Sequence, residues 1–405
     1  MDIAFHYFAV KALAVKAGFD EADAQFIAEY SQMVDEFDYW PVMGCSNMPN
    51  YVKQPGFDIV YSELLGLLNP VTTGSLTDGC ILVVDYSLLL TNRFQRISLA
   101  PFHFIYNDRS EIGTKKYRTY PAVNNDMSPI WSMMKQARDE YQSSLRGETG
   151  VYGDNQTFRR KTLMKIGVLL HTFADTYAHQ MFSGFNDELN NVDLLFVKNN
   201  DTGADETEKY RNMILEFLKG LRPFPKIGHM VIEHVPDLTH LSFGIRYKSG
   251  NEWLPYTRSN TAEFMMCCEQ IIKYLLSCRG KDMIPESEWA DFSSHIRRCF
   301  MTDISTCSKE KEMVTILKKV WSDEFRGNFD FNIDKIKSDY VLKTEPLPND
   351  VLLQMQDIPE EIRPVDSIEA SEDFYLFNVC AEEVLVNLYG NNPRDRRKDE
   401  EMFPT

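Results

Sequence analysis

The 405-residue sequence contains no run of 18 consecutive apolar residues, which is about the minimum for a transmembrane helix. The longest candidate, residues 80–91, is interrupted by Asp85. The first residues also lack the basic segment, apolar core and small-residue cleavage site of a secretory signal peptide. We therefore expect a cytoplasmic protein without a membrane span.

Basic residues and closely spaced cysteine pairs are also scarce. Lys and Arg number 43 against 60 Asp and Glu, and the formal net charge is −17 at pH 7. This charge argues against a protein that binds duplex nucleic acid through its overall field. The eight cysteines form no C-x-x-C pair, so neither a thiolate zinc site nor a dithiol redox motif is indicated. No internal repeat is visible.

Histidine is rare as well, with eight residues, yet two histidines flank one aspartate at equal spacing in the apolar segment 169–182. They are His171, Asp175 and His179. At about 100° per residue, positions i, i+4 and i+8 of a helix fall on one stripe. Two imidazoles and a carboxylate on a buried stripe are costly unless something satisfies them, and their types and spacing are those of metal ligands. A set of hydrogen-bonded core residues is the alternative interpretation.

Three further ligand-type side chains precede this segment. His6 lies on a predicted first helix, and His103 lies in the aromatic segment 101–106. Asp35 lies near the end of a predicted second helix, where a carboxylate opposes the helix dipole and needs a partner such as a cation. Taken singly, the two histidines fit ordinary core positions. Together with the 169–182 segment they indicate a site.

A second cluster of ligand-type side chains follows in residues 226–237. His229 and Glu233 are four residues apart, as on one face of a helix. His234 and Asp237 compete with Glu233 for the same role, and Pro236 would end any helix at this point. His229 is therefore the strongest candidate of the cluster, and its partner stays open.

The apolar spacing predicts a mainly α-helical protein, a multi-helix bundle around a metal site with a small β hairpin or extended segment and additional C-terminal helices. Helices are expected near residues 3–17, 20–35, 60–68, 129–145, 157–181, 206–221, 260–278, 287–301, 309–325 and 367–388, and an extended pair near 241–256. Residues 81–84 fit either a strand or a buried helix. The predicted organisation is a metal-binding helical core over residues 1–245, with insertions near 41–74 and 186–205, a helical region over 246–390 packed on that core, and a disordered charged tail over 391–405.

The order of these residues resembles the zinc-dependent phospholipase C superfamily, which also contains the single-strand-specific zinc nucleases. The shared pattern is a histidine on the first helix, an aspartate after the second, an isolated histidine, His-x-x-x-Asp on a long helix, a further histidine and a final His-x-x-x-Glu. Here the pattern is met by His6, Asp35, His103, His171, Asp175, His179, His229 and Glu233. The segments around His103 and His171 are still more similar to an uncharacterised bacterial family related to that superfamily. The resemblance covers residues 1–245.

The resemblance implies two or three zinc ions, with Mn²⁺ or Fe²⁺ as alternatives because no thiolate is among the ligands. It implies one ion bound by Asp35, His103, His171 and Asp175, a second bound by His179, His229 and Glu233, and a third bound by His6 with Asp175 bridging. The phospholipases also use the amino group of a mature N-terminal tryptophan, whereas this chain begins Met1-Asp2. In this chain a histidine follows His171 by only eight residues, a shorter interval than in the phospholipases.

Adjacent divalent ions can bind a phosphate between them and lower the pKa of a bridging water. We therefore expect phospholipase C-like or phosphodiesterase-like hydrolysis of a small phosphoester or lipid headgroup, with Asp35 and Asp175 as catalytic residues. In one alternative the metal is structural, and the protein binds a partner through the large additional regions 186–205 and 241–405, the second of which contains the C-terminal region. In another, the protein acts at lipid surfaces, which requires an exposed aromatic patch around residues 40–51.

Overall fold

The computed structural model describes residues 1–38, 42–74, 90–219, 225–305, 307, 310–355 and 363–403. The helices are α1 (Val10–Ala17), α2 (Glu21–Glu36), α3 (Pro129–Leu145), α4 (Asn155–Ala178), α5 (Thr207–Lys219), α6 (Asn260–Cys278), α7 (Glu286–Phe300), α8 (Glu310–Phe325), α9 (Ile333–Tyr340), α10 (Asn349–Gln354), α11 (Glu372–Tyr389) and α12 (Arg396–Met402). A π-helical turn, Ala4–Ala9, leads into α1, and short helical segments follow one another at Asn92–Phe94, Gln95–Leu99 and Ala100–Phe102. The strands are β1 (Met43–Cys45), β2 (Val60–Ser62), β3 (Leu67–Leu68), β4 (Val192–Asn199), β5 (Leu241–Ser249), β6 (Glu252–Ser259), β7 (Val341–Pro346) and β8 (Asp366–Ala370).

The prediction of a mainly α-helical protein is wrong, because the chain forms two β-sheets and is 54% helix and 12% strand. One sheet has the strand order β2-β3-β1-β8-β7 and the other the order β4-β5-β6. The fold is a mixed α/β fold. The larger sheet pairs β1 with β8 in parallel, with Gly44 opposite Ser367. Strands this short show no clear alternation in the sequence, and their partners lie far along the chain.

Local predictions differ in their outcomes. The hairpin expected near residues 241–256 is confirmed as β5 and β6. The helix expected near residues 60–68 is wrong, since β2 and β3 occupy this stretch, and β4 forms inside the predicted 186–205 insertion. Residues 81–84 lie outside the described residues, as does Trp40 of the 40–51 aromatic segment, whereas Tyr51 is buried.

Helix α4 lies at the centre of the molecule. Every residue from Lys161 to Ala178 is buried, as expected of a helix with protein on all sides. Its start is capped by Asp154, whose carboxylate accepts a hydrogen bond from the backbone N–H of Thr157 at 2.8 Å. Gly167 lets α2 approach closely, because a Cβ atom here would lie 2.5 Å from a backbone oxygen of α2. This central position brings the predicted ligand stripe into the core.

Residues from the C-terminal third pack against the first helical turns. Phe300 stacks on Phe5 with ring centroids 5.8 Å apart, and Trp321 lies 6.0 Å from Phe8. Where composition predicts a disordered tail, the structure places α12, and Arg394 just before it forms a buried ion pair with Glu382 at 3.0 Å. The domain boundary at residue 245 stays a prediction. Within the described residues, no helix has the length and apolarity needed to cross a membrane.

Candidate metal centre

Five histidines and three aspartates converge beside α4 in three groups. In each group the candidate ligand atoms lie within 4.8 Å of one another. The groups are centre A (Asp35, His103, His171), centre B (His179, His229, Asp237) and centre C (His6, His171, Asp175). The predicted stripe of His171, Asp175 and His179 therefore contributes to all three centres.

The remaining ligands come from five other segments of the chain. His6 lies in the π-helical turn, Asp35 in the last turn of α2, His103 directly after the segment Ala100–Phe102, His229 directly before the 3-10 turn Met230–Ile232, and Asp237 shortly after that turn. The rings of His6 and His171 stack with centroids 3.8 Å apart. A π-helical turn is rare and often marks a functional position, which agrees with the location of His6.

The two imidazoles of centre A also lie close to Asp175. Oδ2 of Asp175 lies 3.1 Å from His103 Nδ1 and 3.2 Å from His171 Nε2, and these two nitrogens are 3.3 Å apart. Asp35 Oδ1 lies 3.8 and 3.7 Å from the same nitrogens. Four ligand atoms about 2.0 Å from a tetrahedral ion are roughly 3.3 Å apart. The atoms of His103, His171 and Asp175 therefore have the mutual spacing of ligands of one ion, and Asp35 lies slightly further from the two nitrogens.

Four of the histidines use their second ring nitrogen to bond a backbone carbonyl. The pairs are His103 Nε2 with Thr73 O (2.8 Å), His171 Nδ1 with Ser31 O (2.9 Å), His179 Nδ1 with His103 O (2.5 Å) and His229 Nδ1 with Glu233 O (2.7 Å). A carbonyl oxygen only accepts, so the bonded nitrogen carries the proton. The other nitrogen of each ring faces a centre, which is the arrangement of metal-ligating histidines.

Centre B pairs His229 with Asp237. Oδ1 of Asp237 lies 3.3 Å from His179 Nε2, and Oδ2 lies 3.4 Å from His229 Nε2. Glu233 belongs to none of the three groups; its backbone carbonyl bonds His229, and its side chain lines the adjoining cavity. The segment forms a short 3-10 turn, so the four-residue spacing of an α-helix does not apply. His234 is 56% exposed.

Asp175 presents its two oxygens to different sides. Oδ2 faces centre A, while Oδ1 lies 3.2 Å from His6 Nε2. Oδ1 is also 2.5 Å from the Met1 α-amine, which lies 3.4 Å from Asp237 Oδ1. Within the described part of the chain, Nδ1 of the buried His6 has no hydrogen-bond partner, whereas Nε2 faces the Asp175 carboxylate. A buried polar nitrogen without a partner is costly, and ligation of an ion would satisfy it.

The protonation states also suit a cation. Burial lowers the pKa of His6 and His229 to about 4 and that of His171 well below its usual value, so these imidazoles are neutral at pH 7. Burial alone would raise the pKa of Asp175, but His179, the N-terminal amine and His171 hold it well below its usual range. Asp237 is likewise held ionised by His229 and the N-terminal amine, although burial acts in the opposite direction. Neutral imidazoles and ionised carboxylates are the forms that bind metals.

Centres A and B open onto one cavity of about 380 Å³. Its inner wall carries Asp35, His103, Asp175, His179, His229 and Asp237, and its outer wall carries Tyr210, Met213 and Phe217 of α5 with Ile304, Cys307 and Met313. The described lining contains no Lys or Arg. His6 lies outside this lining, so centre C is the more deeply enclosed of the three.

The structure brings seven of the eight predicted ligands together: His6, Asp35, His103, His171, Asp175, His179 and His229. Glu233 is the eighth and lies beside the group. The sequence does not indicate the carbonyls that orient the imidazoles, because any residue can supply a backbone carbonyl. It also does not indicate the outer wall of the cavity, whose apolar side chains resemble ordinary core residues.

One protein family matches the chain over residues 1–387, and its description reads "Family of unknown function (DUF6765)". The matched range contains all three centres. No curated protein and no solved structure matches the chain.

Proposed function

Since the chain belongs to the DUF6765 family, whose function is unknown, we propose from its site that it is a divalent-metal-dependent hydrolase of a phosphoric ester. The reaction is of the phosphodiesterase or phospholipase C type. The proposal rests on the geometry of the site together with the ligand pattern shared with the phospholipase C superfamily.

The shared carboxylate of Asp175 is the observation that carries this proposal. Its oxygens lie 3.1–3.2 Å from nitrogens of His103, His171 and His6 on two sides. Centre B begins one helical turn further along α4, at His179. Adjacent centres that open onto one cavity can bind the same phosphate, which is how two-metal hydrolases act.

The donor set supports zinc as the metal, with manganese or iron as alternatives. Centres A and B combine imidazoles and carboxylates, and no thiolate belongs to any group. The unpartnered Nδ1 of the buried His6 and the spacing of about 3.3 Å in centre A both fit a bound ion. The three groups would hold two or three ions, because centres A and C share His171.

The residues around the centres have distinct roles in this proposal. Bound divalent ions would supply Lewis acidity and an activated water for in-line attack on phosphorus. Asp35 is 21% exposed and faces the cavity, so it can orient that water and accept its proton. Gln32 supports this orientation with its Nε2 at 3.4 Å from Asp35 Oδ2. Asp175 is buried and stays fixed between the centres.

The cavity walls favour a substrate with a single phosphate. Without Lys or Arg in the described lining, the positive charge facing an anion there would come from bound ions and the Met1 α-amine. A polyanion such as a nucleic acid needs further cations along its backbone. The apolar outer wall instead suits an uncharged portion of a small phosphoester or of a lipid.

Metal content and phosphodiester hydrolysis test this proposal together. Elemental analysis of the purified protein should find two or three equivalents of metal, and the His171→Ala and Asp175→Ala variants should lose metal and hydrolysis of bis-p-nitrophenyl phosphate. His295→Ala, a change at a half-buried histidine bonded to Glu324 outside the three groups, should keep both. Less than one equivalent of metal in the unmodified protein rejects the site. Bound metal without turnover of any phosphoester rejects the hydrolase and favours a structural metal.

A further inference from the structure

A buried arginine lies behind centre B without a carboxylate partner. Arg258, on β6, is 7% exposed, and no carboxylate of the described residues lies within 4.0 Å of it. Its three nitrogens instead donate to Asn260 Oδ1 at 2.8 Å, to the carbonyl of Tyr177 at 2.7 Å and to the carbonyl of Pro236 at 2.7 Å. The guanidinium also lies over the ring of Phe243, 5.0 Å from its centroid.

Asn260 extends this set of bonds to the rest of the turn that carries Asp237. Its Nδ2 donates to the carbonyls of Val235 at 2.8 Å and Leu238 at 2.9 Å. Together with the bond from Arg258 to Pro236, three carbonyls of the 235–238 turn are bound by side chains. Asp237 therefore projects from a turn whose backbone is fixed on both sides of it.

The same guanidinium bonds the last turn of α4. Tyr177 lies midway between Asp175 and His179 in the sequence. The bond to its carbonyl therefore holds the end of the helix that supplies both ligands. Arg258 thus connects the two elements that meet at centre B, one supplying His179 and the other supplying Asp237. The planar, forked guanidinium can bond both carbonyls at once, which an ammonium group cannot reproduce.

The cost of burying this charge points to a specific role. A buried cation without an ion pair is unfavourable unless it is hydrogen-bonded, and here each of the three guanidinium nitrogens donates to an oxygen. Small errors in the position of a ligand weaken metal binding strongly. Substitution of a residue that orients a ligand typically lowers the metal affinity 10- to 100-fold.

We propose that Arg258 and Asn260 are positioning residues of centre B, which set the separation between His179 and Asp237 by binding the carbonyls of Tyr177, Val235, Pro236 and Leu238. The proposal rests on the proposed metal site, and it goes further by assigning these two residues to one centre only. Loss of either residue weakens metal binding at centre B and leaves centre A unchanged.

Titration with Co²⁺, followed by visible absorption and elemental analysis, tests this assignment. The variants are Arg258→Lys and Asn260→Ala, with His229→Ala and His103→Ala as references for loss of centre B and centre A. In Arg258→Lys and Asn260→Ala we expect the dissociation constant of Co²⁺ at centre B to be 10- to 100-fold higher than in the unmodified protein. The spectra of the two variants should approach that of His229→Ala. The spectral contribution that His103→Ala removes should persist in both.

Arg394→Lys is the matched control, because Arg394 is also buried, 4% exposed, and also donates to two backbone carbonyls, those of Pro70 and Asn69. Its Co²⁺ affinities should equal those of the unmodified protein. Unchanged affinities in both test variants, or equal weakening in Arg394→Lys, overturn the proposal. If Arg258→Lys is insoluble, Asn260→Ala decides. Fewer than two bound Co²⁺ ions in the unmodified protein would instead reject the metal site itself.

Discussion

The two carboxylate oxygens of Asp175 contact different histidines of the candidate metal centres. Oδ1 faces His6 and Oδ2 faces His103 and His171, all within 3.2 Å. Replacing Asp175 by Asn keeps the shape of the side chain but removes the charge and turns one acceptor oxygen into an NH2 donor. We expect Asp175→Asn to lose at least one metal equivalent and at least 100-fold in phosphodiester turnover, because it weakens two centres at once. Elemental analysis and steady-state kinetics check this, and full metal content in the variant would contradict it.

Asp237 and Glu233 offer a direct comparison at the same scale. Both line the cavity, but Asp237 places its carboxylate within 3.4 Å of His179 and His229, whereas Glu233 bonds His229 through its backbone carbonyl. We expect Asp237→Asn to weaken metal binding at centre B by 10- to 100-fold or more, and Glu233→Gln to leave it unchanged. Metal titration of the two variants side by side makes the measurement. Weaker metal binding in Glu233→Gln together with unchanged binding in Asp237→Asn would instead identify Glu233 as the ligand.

Ligand types were predictable from the sequence because they recur at helical spacing or lie in apolar surroundings. Seven predicted ligands meet at the three centres. The choice between Glu233 and Asp237 was not predictable, since it depends on a 3-10 turn and on Glu233 adopting a backbone φ of 53°. Sequence spacing identifies neighbours only where the type of helix is known.

The first half of helix α4 is held by a cluster of four charges, two buried lysines and two partly exposed glutamates. Lys161 and Lys165 each pair with Glu140 of α3 and Glu383 of α11 at 2.7–2.9 Å. Burial would raise the pKa of Glu383, but the two lysines lower it to about 2. Removing one member of such a cluster leaves a buried charge uncompensated, which typically costs 3–5 kcal/mol.

The cluster predicts a pH-dependent stability. Because the pKa of Glu383 is lower in the folded state, its contribution is present above the unfolded value of 4.5 and is lost as the pH falls toward 2. Glu383→Gln should lower the free energy of unfolding by about 3 kcal/mol at pH 7, and the difference should shrink between pH 5 and pH 3. Urea unfolding at each pH measures this, with the exposed pair of Glu269 and Lys273 as a control that changes by less than about 1 kcal/mol in Glu269→Gln. A difference that does not depend on pH would contradict the assignment.

Long helices were predictable as elements, and the two sheets were not. The helix predicted near residues 129–145 has those bounds in the structure, with a proline at its first position. The strand β8 instead pairs on one side with β1 and on the other with β7. Strand pairing of this kind depends on contacts between residues far apart in the sequence. The apolar periodicity of a short segment does not indicate such contacts.

At the scale of the whole molecule, the site and its cavity draw on residues between Met1 and Met313. The cavity is lined by residues of the first helical turns, of α4 and α5, and of the segment containing Ile304, Cys307 and Met313. The phospholipase C resemblance covers only residues 1–245, so the last of these walls could not be predicted from it. A family match over residues 1–387 agrees with a site and core that include the later residues.

A shortened chain tests this dependence. Phe5 and Phe8, which flank His6 on the first helical turns, pack on Phe300 and Trp321, and a chain of residues 1–245 would expose these aromatic side chains to water. Each buried aromatic side chain contributes roughly 1.5–3 kcal/mol, which is a large part of the stability of a domain. We expect the shortened chain to lack cooperative thermal unfolding and to bind less than one metal equivalent, whereas addition of separately produced residues 246–405 should restore part of both. Calorimetry and elemental analysis measure these properties. Cooperative unfolding with two bound ions in residues 1–245 alone would show instead that the metal site folds without the C-terminal residues, which would then have to serve another purpose.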